Sequence, residues 1–290
     1  MEEKKKCIFF LATLRNCDKY LSIIFKNIDQ LRKYHHVFCI FVYDNCNDQT
    51  ANKLFEYQQL HDSVVHVEEL QGNDSKLRTV RIANGRNRCL EILETHEKYL
   101  DCDFHIMLDM DDVNAKPWNI DRINQYLDNF DQDDWDTISF NRDPYYDIWA
   151  LMIDDYDHHV WGFGEHSRLL VQYMKKYMKI KLNICPETVN SVSCRSAFNG
   201  FAIYKSHRFQ DIRYDGTYSG FLKENLVNDK QRQDCLEKYK FYLKNRHLRM
   251  EQCSFPFLHA DEHCEHLFYH NMAIQKKECK IKISKFSIFL

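Results

Sequence analysis

The chain has 290 residues, of which 44% are hydrophobic and 29% charged, and its formal net charge is −3. A chain of this length can bury one good core, and its composition is close to the average of folded domains, which excludes extensive disorder. The lysines and arginines do not form one basic stripe, so a nucleic-acid-binding protein is not expected.

The N-terminus does not have the pattern of a secretory signal peptide. The apolar run Cys7–Leu14 is broken by Arg15 and Asn16 and lacks a small-residue cleavage site, which favours a buried strand. No stretch reaches the roughly 18 apolar residues that a membrane-spanning helix needs. Without an export signal, most of the 12 cysteines are expected to be reduced thiols. We therefore predict a cytoplasmic protein without a transmembrane segment.

The first half of the chain alternates strand-like and helix-like segments. The predicted strands are 7–14, 37–43, 64–67 and 104–108, and the predicted helices are 21–31, 49–60 and 79–96. This alternation is typical of an α/β fold in which helices flank a mixed, mostly parallel sheet. In the less regular second half, we expect a helix with Pro117 in its first turn, strands at 137–140 and 197–204, and an amphipathic helix at 168–181.

An acidic pair follows the fourth predicted strand. Asp109 and Asp111 are two residues apart, so their carboxylates project to the same side of an extended chain. Ligands of open α/β sheets bind beyond the carboxyl ends of the strands. Proteins commonly hold Mg²⁺ or Mn²⁺ with one or two carboxylates and substrate phosphates. The pair thus predicts a divalent-metal site for a diphosphate leaving group, and the alternative is an ordinary solvated loop.

Three segments in the first half resemble GT-A glycosyltransferases, and they occur in the order of that family. The strand and turn at 42–50 are similar to the base-binding turn, where Asp44 matches the aspartate that contacts the nucleotide base. The stretch 81–87 is similar to the segment with an Arg-Asn pair near the donor, which makes Arg86 the donor-side cation. The acidic pair then matches the Asp-x-Asp motif. One departure is the turn after Asp44, which has Asn-Cys-Asn where many members have Asp-Gly-Ser.

The resemblance covers about residues 7 to 112 and implies a single GT-A (Rossmann-like) domain over 1–290. Residues 1–112 are then the nucleotide-sugar-binding half, and residues 113–290 are the acceptor half. In this interpretation Asp111 faces the metal directly and is catalytic, whereas Asp109 lies closer to the ribose. The alternatives are a turn residue bonded to its own backbone for Asp44 and a solvated helix arginine for Arg86.

The resemblance implies a transferase that moves a sugar from a nucleoside-diphosphate sugar, UDP being favoured over GDP, to a glycan or other hydroxyl acceptor. A nucleotidyltransferase is a rival, but no glycine-rich phosphate loop follows the first strand. From a different class, the chain could be a non-catalytic carbohydrate-binding or zinc-stabilised interaction protein on the same fold.

The segment 259–270 is rich in histidine, cysteine and acidic residues. In many GT-A enzymes a late histidine is the third metal ligand, and Cys-Glu-His at 264–266 resembles an element of fungal capsule mannosyltransferases, so His266 is the candidate. A structural zinc site is a second interpretation, and a packed helix face is a third. The zinc candidates are Cys253, His259, His263, Cys264, His266 and His270.

An inverting transferase also needs a carboxylate that accepts the proton of the acceptor hydroxyl. The candidates are Glu265, Asp261, Glu165 and Asp215, and Glu265 ranks first because it adjoins the predicted ligand. The aromatic segment 149–163 is expected either to stack on a sugar ring or to form core under a loop. Gly200 is expected either to let the backbone approach the donor sugar or to mark a bulge.

Overall fold

The computed structural model describes residues 5–129, 134–153, 168–186, 189–217, 219–222 and 263–290. Its strands are β1 (Cys7–Leu14), β2 (His36–Tyr43), β3 (Val65–Glu69), β4 (Phe104–Leu108), β5 (Thr137–Phe140), β6 (Ser191–Cys194), β7 (Phe201–Lys205) and β8 (Ile281–Ser284). The main helices of the described part are α1 (Asp18–Arg32), α2 (Thr50–Leu60), α3 (Arg78–Thr95), α4 (Ile120–Asp128), α5 (Arg168–Asn183) and α6 (Glu265–Lys277). None of the described helices is long and apolar enough to cross a membrane.

These strands form one sheet in the order β3-β2-β1-β4-β7-β5-β8-β6. The first four strands are mutually parallel, and β7 lies antiparallel between β4 and β5. Beyond β5, strand β8 is parallel to it and β6 is antiparallel to β8. The predicted mixed, mostly parallel sheet with flanking helices is therefore confirmed.

Both faces of the sheet are covered, which explains the apolar character of β1 along its whole length. Phe9 and Leu11 lie in one core together with residues of α3 and α6. Ile8 and Phe10, which point to the opposite face, lie in a second core with residues of α1, α2 and α4. The central strands are thus held between two layers of helices.

The carboxyl ends of β1, β2 and β4 lie at the same edge of the sheet because these strands are parallel and adjacent. Helix α3 packs closely against this edge at Gly85. A Cβ atom at this position would lie 2.2 Å from Oγ1 of Thr13, so a larger residue would push the helix away from β1. This close approach places Arg86, the next residue, at the same edge of the sheet, next to Asp109.

Two predicted elements of the second half have different bounds in the structure. Helix α4 begins at Ile120, after Pro117, because the side chain of Asn119 accepts a hydrogen bond from the backbone N–H of Arg122 and caps the helix there. The predicted strand at 197–204 begins only at Phe201. Asn199 and Gly200 have φ values of 57° and 85°, and this left-handed turn precludes an extended strand.

Candidate active site

A cavity of about 540 Å³ opens at the carboxyl edge of the sheet. It is lined by the ends of β1, β2 and β4, the first turns of α3 and α6, and the segment after β5. Its charged lining residues are Asp44, Asp109, Asp111, Asp147 and Glu265, with Arg15, Arg78, Arg81 and Arg86. The fold therefore brings most of the predicted site residues into one cavity.

Arg86 is 4% exposed and joins two of the carboxylates at the floor of this cavity. Its Nη1 donates to Oε1 of Glu265 at 2.6 Å, and its Nη2 donates to Oδ1 of Asp109 at 3.1 Å. The guanidinium also lies over the ring of Phe198, 4.7 Å from the centroid. Arg86 is thus neither a solvated helix residue nor a free cation for a phosphate, because two carboxylates already share its charge.

The ring of His266 contacts Arg86 and Phe198. Its Nε2 contacts Nη1 of Arg86, and its ring stacks on Phe198 with a centroid distance of 3.8 Å. Burial and the charge of Arg86 hold the pKa of His266 well below its ordinary value, so the ring is neutral. Within the described ranges, no group of three or more His, Cys, Asp or Glu side chains is placed to hold a metal. The predicted three-ligand set does not form here, because the guanidinium bridges His266 and Asp109.

The backbone at the end of β4 is held in place by the turn before β7 and by Asn114. The N–H of Asp109 donates to the carbonyl of Gly200 at 2.9 Å. The Nδ2 of Asn114 donates to the carbonyls of Asp109 and Gly200, both at 2.7 Å. Two residues on, Oδ1 of Asp111 accepts from the N–H of Val113 at 3.0 Å. Both aspartates consequently have defined positions in the cavity lining.

Burial is the main cause of the raised pKa values of these aspartates, and neighbouring carboxylates add to the shift. Burial raises the pKa of Asp109 to about 7 against the lowering effect of Arg86, and the carboxylates of Asp111, Asp147 and Glu265 raise it further. Burial also raises the pKa of Asp111. A hard divalent cation would relieve this repulsion, and carboxylate oxygens are its preferred ligands. The donor set therefore fits Mg²⁺ or Mn²⁺.

Asp147, which is not among the sequence-predicted site residues, lies in the same cavity. Its Oδ1 accepts from the N–H of Ala150 at 3.1 Å, and burial raises its pKa to about 6. Tyr146 and Trp149 line the cavity on either side of it in sequence. The available sequence signal is an acidic residue between aromatic ones, but the predicted aromatic segment is 149–163, most of which lies outside the described residues.

The other candidate bases are placed less favourably. Glu265 lines the cavity, but the residue is only 5% exposed and its carboxylate is bound to Arg86. Asp215 does not line the cavity, and its Oδ1 accepts from the N–H and the hydroxyl of Thr217, both at 2.7 Å. Asp261 and Glu165 lie outside the described residues.

Asp44 and Gly200 differ in their relation to the cavity. Asp44 lines it, and its Oδ2 accepts from Nδ2 of Asn73 at 3.0 Å instead of bonding only to its own backbone. Gly200 is not part of the lining. A Cβ atom there would lie 2.4 Å from Cγ1 of Val113, so glycine is required for packing and for the turn before β7. This placement does not support the predicted approach of Gly200 to the donor sugar.

The described residues of the C-terminal histidine segment are engaged in packing. Ring nitrogens of His270 bond to Oγ of Ser196 at 2.9 Å and to the hydroxyl of Tyr204 at 3.0 Å. Two of the zinc candidates, Cys253 and His259, lie outside the described residues. For the rest, the packed-helix interpretation agrees best with these contacts.

No protein-family model matches the chain, and no curated protein matches it in sequence. The structure is similar to TarS 1–349 of S. aureus, with 13% identity and a TM-score of 0.40 over 78% of this chain and 52% of that one. It is also similar to the mannosyltransferase PcManGT of Pyrobaculum calidifontis, solved with GDP-Man and Mn²⁺, with 10% identity and a TM-score of 0.40 over 71% and 46% of the two chains. Glucosyl-3-phosphoglycerate synthase of Mycobacterium tuberculosis, solved with Mn²⁺, UDP and phosphoglyceric acid, has 10% identity and a TM-score of 0.40 over 71% and 58%. The chain spans about half the length of these structures.

We predict that the effect of Asp147→Asn on the free energy of unfolding depends on pH. The pKa of Asp147 is about 6 in the folded protein and has an ordinary value of 3.8. Between these values the folded parent binds more protons than the unfolded parent, so it loses stability as the pH rises. The amide of the variant does not titrate. The variant should therefore gain about 1–2 kcal/mol relative to the parent between about pH 4 and pH 7, measured by urea unfolding in EDTA.

The free energies of unfolding of the variant and the parent are compared at each pH, because the buried histidines change stability with pH in the opposite direction to Asp147. The pKa values of His266 and His270 are lowered by burial, so their contribution to stability is lost as the pH falls. Asp62→Asn, at an exposed position that does not line the cavity, is the control variant. A difference between Asp147→Asn and the parent that stays constant over this range would contradict the raised pKa of Asp147.

Proposed function

We propose that this protein is a metal-dependent glycosyltransferase of the GT-A type. It moves a sugar from a nucleoside-diphosphate sugar, with UDP favoured over GDP, to a glycan or another hydroxyl acceptor. The observation that carries the proposal is the order of carboxylates around one cavity. Asp44 lies at the end of β2, the pair Asp109 and Asp111 lies at the end of β4, and Asp147 follows β5.

In this proposal the donor lies across the carboxyl ends of β2, β1 and β4. Asp44 accepts a hydrogen bond from the nucleotide base, Asp109 lies near the ribose, and Asp111 binds the divalent cation. The cation, when bound, stabilises the negative charge of the departing diphosphate. Few protein carboxylates are needed for this site, because the diphosphate oxygens supply further ligands.

Two arginines other than Arg86 are suited to contact the phosphates. Arg15 follows β1, Arg78 is the first residue of α3, and both line the cavity. Among the described residues, neither has an ion pair or a side-chain hydrogen bond, whereas Arg81 donates to the carbonyl of Ser75 at 2.6 Å. Guanidinium groups bind phosphates through several fixed donors. We therefore assign to Arg15 and Arg78 the phosphate contacts that the sequence suggested for Arg86.

The acceptor in this proposal lies beside Tyr146, Asp147 and Trp149. The aromatic side chains offer a surface for a sugar ring, and the carboxylate of Asp147 accepts the proton of the acceptor hydroxyl. The acceptor oxygen bonds to the anomeric carbon while the bond from that carbon to the diphosphate oxygen breaks. A pKa of about 6 leaves Asp147 ionised at neutral pH and close to the optimum for proton transfer. This assignment replaces Glu265, whose carboxylate is bound to Arg86.

We predict that UDP stabilises the protein strongly only when Mn²⁺ or Mg²⁺ is present, because the diphosphate would otherwise face the unscreened aspartate pair. At one hundred times its dissociation constant, a ligand stabilises the folded state by about 2.7 kcal/mol. A thermal-shift titration of UDP and GDP, with Mn²⁺ and with EDTA, measures this effect. Equal stabilisation in EDTA would exclude the shared metal site. If metal-dependent binding occurs without any hydrolysis of a UDP-sugar panel, the protein is a binding module instead.

We also predict that Asp147→Asn and Glu265→Gln fail in different ways. Asp147→Asn should reduce turnover by about 10²–10⁴-fold without changing the affinity for UDP and Mn²⁺, because only proton transfer is lost. Glu265→Gln should lower the free energy of unfolding by about 3 kcal/mol, because Arg86 loses a charged partner in a buried site. Rates of UDP-sugar hydrolysis, isothermal titration of UDP and urea unfolding separate the two effects. Parental turnover in folded Asp147→Asn would rule out its role as base.

A further inference from the structure

The turn that precedes β7 contains a buried asparagine whose side chain holds the segment carrying Asp147. The Oδ1 of Asn199 accepts from the N–H groups of Tyr146 and Asp147, both at 2.9 Å. Its Nδ2 donates to the carbonyl of Phe140, the last residue of β5, at 2.7 Å. Each of these three hydrogen bonds ends on the segment 140–147, so one side chain fixes both the start of this segment and its functional end.

The same turn also fixes the aspartate pair. The carbonyl of Gly200, the residue after Asn199, accepts from the N–H of Asp109 at 2.9 Å and from Nδ2 of Asn114 at 2.7 Å. Two successive residues of one turn therefore hold the backbone at Asp147 and the backbone at Asp109. The distance between the two carboxylates depends on this turn.

The conformation of the turn favours asparagine for a reason beyond its backbone. Asn199 has a φ of 57° and is 3% exposed. Glycine adopts this left-handed conformation more easily than any other residue, and asparagine tolerates it. The polar side chain is therefore not needed for the turn itself. Its amide is needed for the two acceptor bonds and one donor bond to the segment 140–147.

We propose that Asn199 is a positioning residue that sets the acceptor-side carboxylate of Asp147 against the donor-side aspartates. This inference rests on the proposed function for its catalytic consequence. The hydrogen bonds themselves do not depend on that function. Loss of the amide should leave the donor site intact and move Asp147 out of line with the acceptor.

The central test is Asn199→Gly, which keeps a residue suited to the left-handed turn and removes all three side-chain bonds. The affinity for UDP and Mn²⁺ should stay within about twofold of the parent, whereas turnover of the UDP-sugar should fall about 10–100-fold, because small displacements of a reacting group have large effects on rate. Asp211→Gly is the matched control. Asp211 also has a left-handed φ, of 62°, but it is exposed and does not line the cavity.

A second variant reports on the donor side of the turn. Asn114→Ala removes the bonds to the carbonyls of Asp109 and Gly200, so it should weaken UDP and Mn²⁺ binding more than Asn199→Gly does.

Amide hydrogen exchange gives a readout that does not depend on catalysis. The N–H groups of Tyr146 and Asp147 should be protected in the parent and in Asp211→Gly, and should exchange faster in Asn199→Gly. If exchange increases but no variant or parent turns over a UDP-sugar, the proposed function fails and the positioning of the segment stands. Unchanged exchange, parental turnover in Asn199→Gly, or an equal loss of donor affinity and turnover would overturn the inference.

Discussion

The arrangement of the site depends on the buried ion pairs of Arg86. A guanidinium in this position would be strongly destabilising without partners, because removal of a charge from water costs several kcal/mol even after relaxation. Asp109 from the end of β4 and Glu265 from the start of α6 offset that cost. Gly85 allows α3 to approach β1 closely enough for both contacts. One arginine therefore joins the central sheet, α3 and α6 at the floor of the cavity.

The ion pairs also determine which charges remain available to ligands. Arg86 offsets the charge of Glu265 and part of the charge of Asp109. The hydrogen bonds described for the carboxylates of Asp111 and Asp147 come from backbone N–H groups and not from an arginine, so both carboxylates retain their negative charge. In the proposed function, Asp111 lies on the donor side, where a divalent cation and a diphosphate fit its charge. The same proposal places Asp147 on the acceptor side, where the raised pKa of its carboxyl suits proton transfer. The turn at Asn199 and Gly200 fixes the relative position of these two sides.

The first half of the fold could be predicted because its signals are local. Strands buried on both faces give continuous apolar runs, and the parallel order places Asp44 and Asp109 at one edge. The partners of Arg86 could not be predicted, since Glu265 is 179 residues away in sequence. The same limit applies to Asp147, which is placed by a side chain 52 residues later. Long-range contacts of this kind depend on the packing of the whole domain, and no spacing rule encodes them.

In the proposed function, Asp111 holds a divalent cation for transfer of a sugar from a nucleotide. The most direct measurement is the rate of Mn²⁺-dependent UDP release from a UDP-sugar by the parent, Asp111→Asn and Asp112→Asn, all shown to be folded by circular dichroism. Asp112 is the adjacent exposed aspartate and serves as the matched control. We predict that Asp111→Asn loses at least about 10²-fold in rate, because a bound cation contributes several kcal/mol, and that Asp112→Asn does not. A rate for Asp111→Asn within about threefold of the parent, a barrier change below about 1 kcal/mol, would contradict it.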